Sequence, residues 1–145
     1  MMPDDCFVDT NILLRLLLSD EPNHSPRTRA LFDRIARNQI IAWLSDAVIF
    51  ETVYVLEKNN RIERERIANV MLDILNAPGT KYLGWANMHD VFALYTLHHH
   101  LSIADCLHAS LARQLPAATI VSFDKGFDRV EGLRRVEPSE LTSDQ

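Results

Sequence analysis

Cys6-Phe7-Val8-Asp9-Thr10-Asn11-Ile12-Leu13-Leu14-Arg15-Leu16-Leu17-Leu18 changes its hydrophobic pattern at one acid. Cys6-Phe7-Val8 is a brief apolar run of the kind a covered strand uses, whereas Ile12 to Leu18 is leucine-rich and helical by its length. Asp9-Thr10-Asn11 therefore marks the carboxyl end of a strand running directly into a helix, which Ser19-Asp20 closes. Ser25-Pro26 opens a second helix, with Pro in its first turn and Ala30, Leu31 and Ile35 on one face against Arg29, Asp33, Arg34 and Arg37. Ile40 to Leu44 reads as a second strand, and Ser45-Asp46 caps a third helix from Ala47 to about Lys58. A fourth helix, Ile62 to about Ala77, stops at Pro78-Gly79, and Lys81 to Trp85 is a weaker strand. A fifth helix covers His89 to Leu101, and Ser102 starts a sixth that reaches about Leu115. Ala118-Thr119-Ile120-Val121-Ser122-Phe123 is the clearest strand, Leu133 to Val136 is the last, and residues from about 138 to 145 form a loose tail. Strands separated by helix-length segments require parallel crossovers, so the fold class is α/β, a three-layer α/β/α sandwich.

The 145 residues, 47% hydrophobic and 24% charged, have the length and balance of one domain able to build a core without disulfides. A formal charge of -5 excludes a protein that grips nucleic acid mainly through a broad basic surface. Arg15 interrupts the only leucine-rich run and the start, Met1-Met2-Pro3-Asp4-Asp5, is acidic, so the expectation is a cytoplasmic chain with no membrane span. Cys6 and Cys106, far apart and in apolar surroundings, read as two reduced, buried thiols.

Most acids lie on polar faces, but several do not. Asp9 ends an apolar strand, where it is either a helix cap or a functional group. Glu51 interrupts Ala47-Val48-Ile49-Phe50 and Thr52-Val53-Tyr54-Val55-Leu56, so helical geometry aims it along an apolar face, as half of a buried ion pair or as something rarer. Asp105 follows Ser102 at capping-box spacing, Asp124 directly follows the best strand and can make a turn, and Asp128 fits a solvated face. Taken together they form a constellation, because functional groups of an open parallel sheet gather at strand carboxyl ends. Two such carboxylates about 4 Å apart repel by about 4 kcal/mol at an effective dielectric near 20, so a cluster needs cations. An all-oxygen set suits Mg2+ or Mn2+, which support phosphoryl displacement by water.

The ordered motifs Phe7-Val8-Asp9-Thr10-Asn11-Ile12-Leu13-Leu14-Arg15, Glu51-Thr52-Val53-Tyr54-Val55-Leu56, Ala104-Asp105-Cys106-Leu107-His108-Ala109 and Val121-Ser122-Phe123-Asp124-Lys125-Gly126-Phe127-Asp128 resemble those of PIN domains. Within that family they look like the VapC-type ribonuclease toxins of bacterial toxin–antitoxin pairs. The resemblance implies a five-stranded parallel sheet in which the Asp9 and Asp124 strands are neighbours. It further implies a Mg2+- or Mn2+-dependent endoribonuclease, a cognate antitoxin and a homodimer. By that resemblance Asp9, Glu51, Asp105 and Asp124 are the catalytic, metal-holding acids. Asp128 is a further metal acid, and Thr10, Asn11 and Ser122 are supporting groups. Asp9 and Asp105 would hold the principal ion, with Glu51 either completing its shell or orienting the water.

RNA approaching an acidic pocket needs cations at the rim. Arg15 and Lys125 are the substrate-binding candidates, with Arg27, Arg29 and Arg129 beside them, and all five also read as ordinary solvated charges. His98-His99-His100 ends a helix, where cationic side chains are favourable, and His108 reads as packed. Leu13, Leu16 and Leu17 offer apolar surface to the core or to a partner. Two other classes compete. A haloacid-dehalogenase-type phosphatase needs a second Asp where Asn11 stands, and a receiver-like Mg2+-binding domain needs an Asp where the middle strand ends Trp43-Leu44-Ser45. The five site acids match the acid excess, so the negative charge is expected to concentrate in one pocket.

Overall fold

The structure, a computed structural model, describes residues 4–18 and 25–142; the expected helix stop at Ser19-Asp20 and the last three residues of the tail lie outside the described residues. The chain divides into two compact units, residues 1–84 and 85–145.

The first unit holds β1 (Asp4–Phe7), α1 (Thr10–Leu18), α2 (Ser25–Ala36), β2 (Ile40–Ser45), α3 (Asp46–Tyr54), α4 (Arg64–Leu75) and β3 (Thr80–Leu83). Its sheet runs β1-β2-β3, parallel throughout, with Phe7 opposite Trp43 and Ala42 opposite Thr80. Leu13, Ile35, Val48, Ile49, Val53, Ile67 and Met71 bring one apolar face of each helix into the core, with Ala42 and Leu44 of the central strand. Ser45 caps α3 through its Oγ, which accepts from the Val48 amide at 3.3 Å. Gly79 is stitched between α2 and β2: its N–H donates to the Ile35 carbonyl at 2.9 Å and its carbonyl accepts from Ala42 at 2.7 Å. A Cβ there would strike the Ile35 and Ile40 carbonyls, so this close approach requires glycine.

The expected third helix persists to Asn59 but changes gauge. Val55–Asn59 is a π-helical turn, closed by the Asn60 N–H on the Val55 carbonyl at 3.1 Å and followed by Arg61 at φ 53°.

The second unit holds α5 (Met88–Leu97), α6 (Ile103–Arg113), β4 (Thr119–Val121), a 3-10 turn (Lys125–Arg129), β5 (Arg134–Val136) and α7 (Pro138–Thr142). β4 and β5 pair in parallel, and Phe92 meets Tyr95 edge to face in a core completed by Val91, Cys106, Ala109 and Phe127.

The α/β class, the parallel pairing and all five expected strands are present, together with seven α-helices among the described residues. Four expectations are corrected. The strands form a three-stranded and a two-stranded sheet rather than one sheet of five, since pairing is non-local and a strand's own pattern does not encode its neighbour. The fifth helix stops at Leu97, because His98 leaves helical geometry and the Ser102 cap begins a new helix. Residues 138–142 are helical, not loose, with the Glu137 N–H donating to Glu140 Oε2 at 2.6 Å. Cys6 is only half-buried, whereas Cys106 is buried as expected. Among the described residues no helix is long and apolar enough to cross a membrane.

Candidate active site

In the first unit the site begins where β1 becomes α1. The Asp9 carbonyl accepts from Ile12 at 3.0 Å and Leu13 at 3.4 Å, starting the helix, while its Oδ1 accepts from the Thr10 N–H at 2.7 Å. Thr10 is buried, and its hydroxyl donates to Glu51 Oε2 at 3.1 Å. One residue therefore contacts both acids, through its backbone on one side and its side chain on the other. Asn11 is exposed in the same turn.

Glu51 itself is exposed, contrary to the apolar face expected for it. The core side of α3 is Val48, Ile49, Thr52 and Val53; Ala47, Glu51 and Tyr54, at i, i+4 and i+7, share the outward side. Ala47 misleads because an apolar residue four positions away need not be buried.

In the second unit Asp105 completes a capping box with Ser102, as its spacing allows. The Asp105 N–H donates to Ser102 Oγ at 3.1 Å and the Ser102 N–H to Asp105 Oδ2 at 3.4 Å. Asp124 caps the 3-10 turn, with Oδ1 accepting from the Gly126 N–H at 2.8 Å, while Ser122 Oγ accepts from the Asp124 N–H at 3.0 Å. Ser122 thus supports the backbone of the acid it was assigned to. His100 Nε2 lies 3.0 Å from the Gly126 carbonyl, and a Cβ on Gly126 would crowd both Asp124 Oδ1 and His100.

Asp128 stands apart. Arg135 grips it through Nε–Oδ1 at 2.8 Å and Nη2–Oδ2 at 3.4 Å, and also donates to the Ser122 carbonyl at 2.9 Å and Glu137 at 3.2 Å. These two carboxylates hold the guanidinium above its usual pKa. The histidine run joins no metal group: His98 and His100 meet edge to face, and burial, then His100, Arg113 and Arg129, push the His98 imidazole down. His108 is exposed, not packed, because the buried side of α6 is Ile103, Cys106, Leu107, Ala109 and Ser110. Leu13 is core, while Leu16 and Leu17 are half-buried.

Asp9, Asp105 and Asp124 each use one carboxylate oxygen in a local hydrogen bond, and Glu51 uses one in its bond to Thr10 of α1. Such oxygen donors match the preference of Mg2+ and Mn2+, although no three acid, His or Cys side chains form a ready metal group among the described residues. Of the basic candidates, Arg15 and Arg27 share a cavity of about 360 Å3 with Ile12 and Thr28, while Lys125 and Arg129 are exposed. His100 and Arg135 were missed as supports. Their signal is the fold-dependent meeting of separated segments, which no local pattern carries.

The PIN domain family model matches residues 6–133. The chain belongs to the PIN-domain family. All four acids and their hydrogen-bonding supports Thr10, Ser102, Ser122 and Gly126 fall inside the PIN match. The chain is also similar to a VapC ribonuclease of Aquifex aeolicus (strain VF5), 28% identical over 133 residues that cover 92% of this chain and 96% of the relative. Membership in the PIN family sets aside the phosphatase and receiver readings.

Proposed function

We propose that this PIN domain is the ribonuclease toxin of a toxin–antitoxin pair, a Mg2+- or Mn2+-dependent endoribonuclease neutralised by a cognate antitoxin. The observation that carries the reading is the Thr10 bridge, which ties the motif acid at the end of β1 to Glu51. The likeness to a VapC ribonuclease over most of both chains supports the same reading.

In this reading the chain acts as one cytoplasmic domain, paired as a homodimer. Asp9 and Asp105 would hold the principal ion with Asp124, leaving Glu51 beside it to act on the attacking water. Asp128 joins them only on release from Arg135. Bound there, the ion supplies neutralisation of the scissile phosphate and a lowered pKa for the attacking water.

The chain's own part is positioning. Asp9, Glu51 and Asp124 are exposed, so a single strand reaches them without local opening. Thr10 orients the Glu51 carboxylate to take a proton from the water as its oxygen bonds to phosphorus. The P–O3′ bond breaks, the 3′ oxygen is protonated by solvent, and the products carry a 5′ phosphate and a 3′ hydroxyl. Arg15, Arg27 and Lys125 attract the flanking phosphates.

The test is cleavage of single-stranded RNA with Mg2+, Mn2+ or EDTA by the wild type, Asp9→Asn and Asp105→Asn. Metal-dependent cleavage lost in both variants is expected; full activity in either variant overturns the assignment.

A further inference from the structure

α1 presents Asn11, Leu14, Arg15 and Leu18 at i, i+3, i+4 and i+7, one face of the helix, to a pocket of about 270 Å3. Its other wall is the π-helical turn and the residue after it, which supply Val55, Asn59 and Asn60. We infer that this pocket receives one unpaired base of the RNA and so selects where the chain cleaves. The inference rests on the nuclease reading for its substrate.

The lining has the chemistry of a base site. Leu14, Leu18 and Val55 give an apolar surface for a base's face, while the amides of Asn11, Asn59 and Asn60 each offer both donors and an acceptor at the rim. An amide pairs with a base edge through two hydrogen bonds at once, and single-stranded RNA is read by splaying out bases whose edges are free. Arg15 adds a planar guanidinium suited to a base face or to the phosphate beside it.

The position fits as well. Asn11 directly follows Thr10, and Val55 lies one helical turn beyond Glu51, so the elements that build the Thr10–Glu51 pair also build the pocket. The widened turn brings Asn59 and Asn60 to that wall, and the left-handed Arg61 ends it. A compact pocket with polar groups on both walls suits one base better than an antitoxin helix, which needs a long apolar groove.

The test uses the full chain in EDTA, where cleavage is off, and fluorescence anisotropy of labelled oligoadenylate, oligocytidylate and oligouridylate. The wild type should prefer one base, and Asn59→Ala/Asn60→Ala should weaken that oligonucleotide by about 5- to 100-fold and leave the others nearly unchanged. Both residues are exposed, so the fold should survive, as a thermal melt will check. Asn60→Trp, which fills the pocket from its rim, is the second variant and should lose the same preference.

Mapping of cut sites with Mg2+ should show the cuts spreading over all bases in both variants. Equal binding of all three oligonucleotides by the wild type, or unchanged preference in both variants, overturns the inference. Unchanged RNA preference with loss of antitoxin binding overturns it in favour of a protein-docking site. Base-selective binding lost in the variants, from a wild type that cleaves no RNA with either Mg2+ or Mn2+, removes the nuclease reading and leaves the base pocket. Normal cleavage with undiminished selectivity in the variants removes the pocket and leaves the nuclease.

Discussion

Thr10 is the residue on which the first half of the site turns, because its amide and hydroxyl contact two different acids. Removing the hydroxyl while keeping the shape, as Thr10→Val does, frees Glu51 without opening a cavity. A hydrogen bond to a charged group contributes about 1.5–3 kcal/mol, so kcat should fall about 10- to 100-fold. KM should change little and Thr10→Ser should restore the rate, a rescue that a purely structural defect would not show. Steady-state cleavage of a defined RNA by the three proteins checks this. The acids themselves were legible in the sequence because each sits at a recognisable local boundary: a strand end for Asp9 and Asp124, a capping box for Asp105. Glu51 is legible as an oddity but not in its placement, since its buried neighbours in sequence do not share its side of α3, which turns Val48, Ile49, Thr52 and Val53 inward and Glu51 outward. His100 and Arg135 were invisible because they reach Gly126 and Asp128 across segments whose approach only the fold creates.

Among the elements, α5 and α6 pack in the second unit with a polar contact at Asp90 set among apolar side chains. Asp90 accepts from the Ser110 hydroxyl at 2.7 Å and from Arg113 at 2.6 Å, and Arg113 also donates to the Glu131 carbonyl at 3.0 Å. Burial raises the Asp90 pKa, but the Ser110 and Arg113 hydrogen bonds and the Arg113 charge outweigh it and hold the carboxyl below its ordinary 3.8. A carboxyl depressed in the folded state stabilises it above the unfolded value and loses that contribution as pH falls through the folded value. Acid unfolding should therefore steepen below about pH 4 in the wild type and flatten there in Asp90→Asn. At neutral pH that variant should lose about 1 kcal/mol, the upper range for a partly exposed pair, as urea titrations at pH 3, 4 and 7 will measure. Helix existence was readable because 3.6-residue periodicity is local. The π-helical turn was not, because which carbonyl an N–H meets after α3 depends on the packing around Leu56 and Ile62 rather than on residue type.

Over the whole molecule, strand number and direction could be read from the alternation of strands and helices, but sheet membership could not. β1 gives all four of its residues to β2, and β4 all three of its residues to β5, choices made by long-range pairing rather than by either strand's composition. The charge balance reads more directly. The chain carries a formal -5, and if Asp9, Glu51, Asp105 and Asp124 gather at a metal site, as proposed, the folded state stores their mutual repulsion until cations relieve it. Divalent ions should then stabilise the folded chain far more than monovalent salt does, since specific binding contributes RT ln(1 + [L]/Kd) whereas screening acts weakly on every charge. At a Mg2+ or Mn2+ concentration about 100 times Kd this amounts to about 2.7 kcal/mol. For a chain of this length that is a rise in Tm of about 5–10 °C. Asp9→Asn should show a raised Tm without metal, from relieved repulsion, and a much smaller response to Mg2+. Differential scanning calorimetry of both proteins in EDTA, Mg2+ and matched ionic strength of NaCl separates the cases. An equal response to Mg2+ and to NaCl, or an undiminished Mg2+ response in Asp9→Asn, would show that the acids do not share an ion.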